Sequence, residues 1–377
     1  MNKSGKTHKK ILFIVDQLFE HGGIERILCV RANALSKLEG YKVVIATTDQ
    51  QAKTLRYHLD PAVDLVDMNV EYNRTRSYFH PLNLLKLRSH IAKFKQVLRR
   101  TGPDVVVICN HGMETFFAPA VCAVPVIKEF HFSQATRAGR SGFLKGISER
   151  LLRRIYPKYD RLVVLNPDEA RYFPESKVCI IPNPLPFGSP KRARLSNCNA
   201  IAAGRIAPVK GFEEMIEIWR LVVDKLPEAR LKIYGQGEST YVQGLKDRVR
   251  ELGLGAHLLF VGPTENMQEA MEEASIYLMT SLNECFPLVL LEALSIGLPV
   301  ITYDIPTGPR HIITNQSGFL ISNKDRQAFA MAVLKLFQNT DLRESMGKAA
   351  LVHSKTFSIE AVLAKWTDLF NDITSSN

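Results

Sequence analysis

Four charged side chains in the second half of the chain have types and spacings suited to anion and polyol chemistry: Arg205 and Lys210, followed by Glu284 and Glu292. A diphosphate needs fixed cations beside it when no metal neutralises it, and Arg and Lys are the residues that supply them. Ionised carboxylates accept hydrogen bonds and never donate them, so a pair of them suits a ligand rich in hydroxyl groups. There is no Asp-x-Asp pair anywhere in the chain, which removes the simplest chelate for Mg²⁺ or Mn²⁺. Taken together, these groups fit a sugar joined to a nucleoside diphosphate, bound without a metal.

The elements that must position these groups can be read from the surrounding residues. Pro287 reads as a first helical residue, and Gly297 with Pro299 as the stop, which predicts a helix of about ten residues. Nearly every side chain between those signals is apolar, so the helix belongs inside the protein and Glu292 on it needs compensation. Two partners are open: an internal Arg such as Arg205 or Arg310, or a ligand. Glu284 lies just ahead of the helix, whose free N–H groups favour anions. Arg205 and Lys210 sit between a predicted strand, Asn199 to Ala203, and a helix that begins near Phe212.

The first half has the same strand, turn and helix order. An apolar run from Ile11 to Val15 leads through Gly22-Gly23 to a helical pattern from Ile24 to Leu38. The glycine pair is either a simple turn or a close backbone approach to phosphate. Further strands are predicted at 42–47, 62–68, 104–109, 125–130, 161–165 and 178–181, then at 199–203, 230–234, 257–261, 276–279 and 299–303. Strands alternating with helices predict parallel sheets that bind ligands beyond the strands' carboxyl ends. His111 and His131 each follow a strand at that end and are site candidates. Pro182 to Pro190 reads as a linker, dividing an N-terminal domain (1–187) from a C-terminal one (188–357), with a last helix (358–377) crossing back onto the first.

Bulk properties narrow the partners. The chain has 377 residues and a net charge of +11; residues 1–190 hold 29 Lys and Arg against 17 Asp and Glu, so the positive field belongs to the first half. Leu82 to Arg100 and Ala135 to Arg161 are basic and amphipathic, as a contact with anionic lipid requires, or as a solvated helix face shows equally well. Nucleic acid is the other partner that charge suggests, but no nucleic-acid motif is present and few aromatics interleave the basic residues. No run is long and apolar enough to span a bilayer, and the basic start has no secretory pattern, so a cytoplasmic location is expected. Six scattered cysteines without CxxC spacing read as reduced packing residues.

Gly204-Arg205, Lys210-Gly211, Tyr234-Gly235-Gln236-Gly237, Val261-Gly262, Glu284-Cys285-Phe286-Pro287 through Glu292-Ala293, Gly297-Leu298-Pro299-Val300, Gly308-Pro309 and Gly318-Phe319-Leu320 fall in a familiar order and spacing. In this series the chain resembles the family 4 glycosyltransferases, retaining enzymes of GT-B architecture, over almost its whole length. The resemblance implies an α/β fold of two doubly wound Rossmann-like domains facing across a cleft. It implies that Arg205 and Lys210 hold the donor diphosphate, Glu284 the donor sugar's hydroxyls and Glu292 the ribose. Gly204, Gly262, Cys285, Phe286, Pro287 and Leu288 would line the donor, Gly22 and Gly23 would face its phosphates, and His131 would lie near donor and acceptor. The opening Gly22-Gly23-Ile24-Glu25-Arg26 resembles members that build bacterial surface polysaccharides.

The implied reaction moves a sugar, with its anomeric configuration retained, from a nucleotide donor, UDP foremost, to a sugar acceptor carried on a polyprenyl diphosphate at the inner membrane face. No cofactor and no metal are implied. The alternatives are a GT-B sugar-nucleotide epimerase or phosphorylase, a catalytically silent sugar-nucleotide-binding subunit and, more distantly, a basic nucleic-acid-binding protein.

Overall fold

Runs of consecutive apolar residues make strands with no polar face, and such strands are stable only when helices cover both sides of the sheet. In the computed structural model, which describes residues 8–134, 150–186 and 191–375, those runs form two sheets. The first contains β1 (Lys9–Val15), β2 (Tyr41–Thr47), β3 (Val63–Asp67), β4 (Val105–Ile108), β5 (Val126–Glu129), β6 (Arg161–Val164) and β7 (Val178–Ile180). Its order is β3-β2-β1-β4-β5-β6-β7, with every pairing parallel. The second contains β8 (Asn199–Ala203), β9 (Arg230–Tyr234), β10 (Leu258–Gly262), β11 (Ile276–Met279), β12 (Val300–Asp304) and β13 (Gly318–Ser322). Its order is β10-β9-β8-β11-β12-β13, again all parallel.

In both sheets the strand order reverses at the first strand, so β1 and β8 each lie at a topological switch point. The crevice beyond their carboxyl ends is where doubly wound sheets bind ligands. The loop after β1 runs to Gly22-Gly23, and the loop after β8 carries Arg205 and Lys210.

By contacts the chain divides into a unit of Met1–Pro184 with Ile359–Asn377 and a unit of Leu185–Ser358. The helix Ile359–Ser375 buries Val362, Leu363, Trp366 and Phe370 in the same core as Ile11, Phe13 and Leu28. The boundary expected at 187–188 lies within residues 187–190, outside the described part of the chain.

Several elements depart from the sequence reading. The single basic helix expected over 82–100 is two, Pro81–Leu84 and Leu87–Thr101. The break has a cause in buried Asn83, whose amide donates to the carbonyls of Asn73 and Ser77, each at 3.0 Å, and ties the short helix to the preceding loop. The first helix runs Gly23–Leu35 and gives way to a turn before Leu38. Strand β13 and the helices Arg326–Gln338 and Thr340–Ser354 were not anticipated as elements, although Phe329, Val333, Leu336 and Phe337 mark a buried helical stripe. All six cysteines are free, and among the described residues no helix is long and apolar enough to cross a membrane. Much of the second basic stretch, residues 135–149, lies outside the described residues; Arg150, Arg153 and Arg154 beyond it are exposed.

Candidate active site

The second unit gathers its polar residues from loops at the carboxyl ends of neighbouring strands. Beyond β8 and β9 the backbones nearly touch: a Cβ on Gly235 would lie 1.9 Å from the Gly204 carbonyl oxygen, so only glycine fits. Gly235 N–H donates to Gly262 O at 2.9 Å, which lines up Gly204, Gly235 and Gly262 across the ends of three strands. This is a floor of bare backbone.

Lys210 and Glu284 are far apart in sequence and are joined by a second close approach. Gly211 has φ +64°, and a Cβ there would lie 2.2 Å from Thr280 O, just after β11. The Thr280 hydroxyl donates to Gly211 O at 2.8 Å, and Leu282 N–H donates to Val209 O at 2.8 Å. These bonds stitch the loop after β8 to the segment after β11. Lys210 Nζ consequently sits 2.5 Å from Glu284 Oε1, with both side chains partly exposed. The Thr307 hydroxyl holds the Glu284 carbonyl from the loop after β12.

The helix behind them runs Leu288–Ser295, eight residues, and begins one residue later than the sequence suggested. Pro287 keeps an extended ψ of 113° and is the residue before the helix, not its first member; no side chain caps the helix start. The first-turn amides therefore present their hydrogens as a helix N-terminus does to an anion. Glu292 is 2% exposed on this helix. The Tyr277 hydroxyl bridges both backbone groups of Ala203, at 3.0 and 3.1 Å. Burial, then the fields of Glu292 and Glu284, raise the pKa of that phenol. Both carboxylates thus act on one buried ring beside the end of β8.

Cys285 and Phe286 are almost fully buried, with Phe286 edge-on to Phe357 at 5.8 Å, so their contribution to the site is backbone. Arg205 is exposed, and no described residue forms an ion pair with it. Arg310 pairs with Asp304 at 2.9 Å on the surface.

The first unit arranges charge differently. Gly22 precedes the helix Gly23–Leu35 and leaves its start without a side-chain cap. The Glu25 carboxylate lies against Gly22, accepts from Gln17 Nε2 at 2.7 Å, and is pushed upward in pKa by burial. The His131 side chain, only 6% exposed after β5, has its Nε2 3.2 Å from Glu129 Oε1. Glu129 takes a bidentate pair from Arg31 at 2.6 and 2.7 Å, and the Arg31 guanidinium lies 4.3 Å over Trp366 and 4.9 Å from the Phe13 ring centre. Burial opposes ionisation of Glu129, yet Arg31 and His131 outweigh it and hold the carboxyl well below its usual range. His131 therefore has a fixed anionic neighbour. His111 makes tilted ring contacts with Phe130 and Phe132, at 5.7 and 5.9 Å between centroids.

A second buried pair, Glu114 and His90, lies 4.0 Å apart. Burial pushes Glu114 up to about 7 and His90 down to about 4.

Arg31, Glu129, Thr280 and Thr307 were missed as site-building residues. Glu129 carried a signal, since with Lys128 it puts two charges in the short strand β5 directly after the apolar Val126 and Ile127. The threonines carried none, because their partners are backbone atoms from distant loops.

Comparison with known proteins agrees with this geometry. The family model described as glycosyltransferase family 4 matches residues 21–186, and that described as glycosyl transferases group 1 matches residues 197–352. The chain belongs to the family 4 glycosyltransferases. Among its relatives, an exopolysaccharide phosphotransferase of Streptomyces coelicolor is 30% identical over 75% of this chain, which spans 30% of that protein's length. The amylovoran biosynthesis glycosyltransferase AmsD of Erwinia amylovora is 26% identical over 96% of this chain and 99% of its own. Among solved structures, TarM of S. aureus, in complex with UDP, fondaparinux and α-GlcNAc-glycerol, superposes with a TM-score of 0.75 at 17% identity, covering 96% of this chain and all of its own. At that identity the likeness concerns the fold, and the transferase has the GT-B fold of two Rossmann-like sheets.

Proposed function

We propose that this glycosyltransferase moves a sugar from a UDP-sugar, with retention, to a lipid-linked sugar acceptor in the assembly of a surface polysaccharide. The observation that carries the reading is the Lys210–Glu284 contact of 2.5 Å beside an uncapped helix start. A ligand that brings only phosphate would satisfy Lys210 and strand Glu284. A sugar nucleotide satisfies both, since its diphosphate takes Lys210, Arg205 and the helix amides while its sugar hydroxyls donate to Glu284. Glu292, buried next to the end of β8, suits the ribose hydroxyls. Gly204 and Gly262 leave room for the nucleotide, and Cys285 to Leu288 would run along the sugar and phosphates.

In this reading the cations stabilise charge that develops on the departing diphosphate, so no metal is called on for the step. His131, held against Glu129, would serve the acceptor hydroxyl, and Gly22-Gly23 the phosphates. Support for the nucleotide comes from structural neighbours solved with UDP, TarM and HepE from Anabaena. Support for the pathway comes from AmsD, whose name records amylovoran biosynthesis. The basic first unit would rest on anionic lipid at the inner membrane face.

A thermal-shift screen of UDP-, GDP- and ADP-sugars tests the donor, because a ligand that binds only the folded state raises Tm. UDP-sugars are expected to give the largest rise, and that rise should vanish in Lys210→Ala. A larger shift with another nucleotide would replace the donor assignment. Free UDP with an enlarged glycan is the expected product; a rearranged or phosphorylated sugar would favour the epimerase or phosphorylase reading.

A further inference from the structure

The segment between β3 and the helix Leu87–Thr101 displays apolar side chains to solvent from a tightly bonded frame. Phe79, Leu82, Leu84 and Leu85 are 43, 52, 41 and 78% exposed, four large apolar groups within seven residues. Looseness does not explain them. Buried Asn83 accepts from Asn73 N–H at 2.9 Å as well as bonding the two carbonyls described above. Tyr78 donates to Asp16 at 3.0 Å, and Arg74 ion-pairs with the same carboxylate. Phe79 stands edge-on to Phe116 at 5.2 Å. The frame is rigid and the leucines are aimed outward, where each keeps apolar surface in water.

Within the segment itself charge has one sign, Asp16 being an acid that the fold brings to it from the end of β1. From Tyr72 to Pro103 the sequence holds eight Lys and Arg and no Asp or Glu. Arg76 and Arg88 are exposed near the patch, and Lys95, Arg99 and Arg100 are exposed along the helix that follows. A second copy of the chain is a poor occupant, because two such faces repel. A rigid apolar tip ringed by cations matches the boundary between acyl chains and anionic headgroups. Nucleic acid would answer the cations and leave Leu82 and Leu85 without a partner.

We infer that Phe79–Leu85 is a wedge that enters an anionic bilayer, Leu82 and Leu85 deepest, with Arg76 and Arg88 at the headgroups. Asp16 directly follows β1, so the wedge is tied to the carboxyl end of the first sheet. It would hold that edge, with its candidate site loops, at the lipid surface. This deepens the proposal of a lipid-linked acceptor and rests on it for its purpose, although the wedge can be tested without it.

The test uses the full chain with Leu85→Trp; the native Trp219 and Trp366 are buried and serve as a constant background. With phosphatidylglycerol-containing vesicles the added Trp should shift its emission to the blue and be quenched by brominated acyl chains. Phosphatidylcholine vesicles should leave the spectrum unchanged. Leu82→Ser/Leu85→Ser should weaken vesicle partitioning about tenfold or more, since two leucines no longer leave water. Both positions are exposed, so the Tm should hold, and so should transfer to a water-soluble acceptor. Arg76→Gln/Arg88→Gln should weaken partitioning and flatten its salt dependence. No blue shift, or wild-type partitioning by the leucine variant, overturns the wedge. Oligonucleotide binding that survives the leucine substitutions without vesicle binding assigns the face to nucleic acid and also overturns it. Lys210→Ala separates the two readings: if it partitions like wild type but does not turn over, the wedge stands independently of the catalytic assignment.

Discussion

The two units place charge at equivalent ends of similar sheets and use it in opposite ways. In the second, Lys210 and Glu284 meet at a partly exposed contact, and Arg205 extends into solvent. Such charges retain much of their hydration and can exchange partners at low cost. In the first, Arg31 and Glu129 are nearly sealed and bonded twice, with the guanidinium lying over aromatic rings. Charges there are committed to each other, because separating a buried pair strands an ion. A ligand can therefore recruit the first kind, whereas the second kind aims a neighbour, here His131. In these two pairs, exposure separates charges that stay available to a ligand from charges committed to each other, even where residue types are alike.

The sharpest way to break this contrast is at the buried pair. Arg31→Met should cost about 3–5 kcal/mol in urea unfolding, and Arg31→Met/Glu129→Leu should recover much of it. Equal losses in both would mean the pair is ordinary packing. Lys210→Ala should leave stability nearly unchanged and lower kcat roughly 10²–10³-fold, the scale for removing one oriented donor to developing charge. Near-wild-type turnover would remove Lys210 from the reaction.

A pH titration sharpens the first-unit side of the comparison. Glu114 keeps its proton up to about 7 in the folded chain, above its ordinary value of 4.5, because burial disfavours its ion. Its contribution is therefore complete at low pH and is lost as pH rises through that window. His90, held neutral down to about 4, acts in the opposite sense between 4 and its ordinary 6.5. Asp16, which raises Glu114, and Lys128, which lowers it, face the same carboxyl. Glu114→Gln should gain stability relative to wild type between about pH 5 and pH 8, on the order of 2 kcal/mol. A constant difference across that range would show that Glu114 is already ionised. The smallest expected effect is Glu284→Gln, within about 1 kcal/mol in stability, because the pair it breaks is partly hydrated.

Much of this was legible in the sequence, for identifiable reasons. The positions of central strands such as β1 and β4 followed from apolar runs, because burial on both faces of a sheet favours apolar side chains. Lys210 and Glu284 were legible as types, and Gly211 as a turn. Their contact was not, because it depends on Thr280 and Leu282 bonding backbone atoms some seventy residues away, at separations of 69 and more. The Arg31–Glu129–Trp366 cluster was hidden for a related reason. Its three members come from a helix, a strand and the last helix, and no local pattern links them. The wedge escaped notice because a helical period was continued through Leu85, where Asn83 had already fastened the chain to a neighbouring loop.

The return of Ile359–Ser375 to the first core sets an order of events during synthesis. Arg31 and Glu129 leave the ribosome early, but the indole that shelters the guanidinium arrives only after the whole intervening unit has been made. Until then the nascent first sheet must hold an incompletely covered ion pair and an open apolar flank. Its closure waits on residues 359–375, so a chain cut short within that helix would keep the second unit intact and leave the first unfinished.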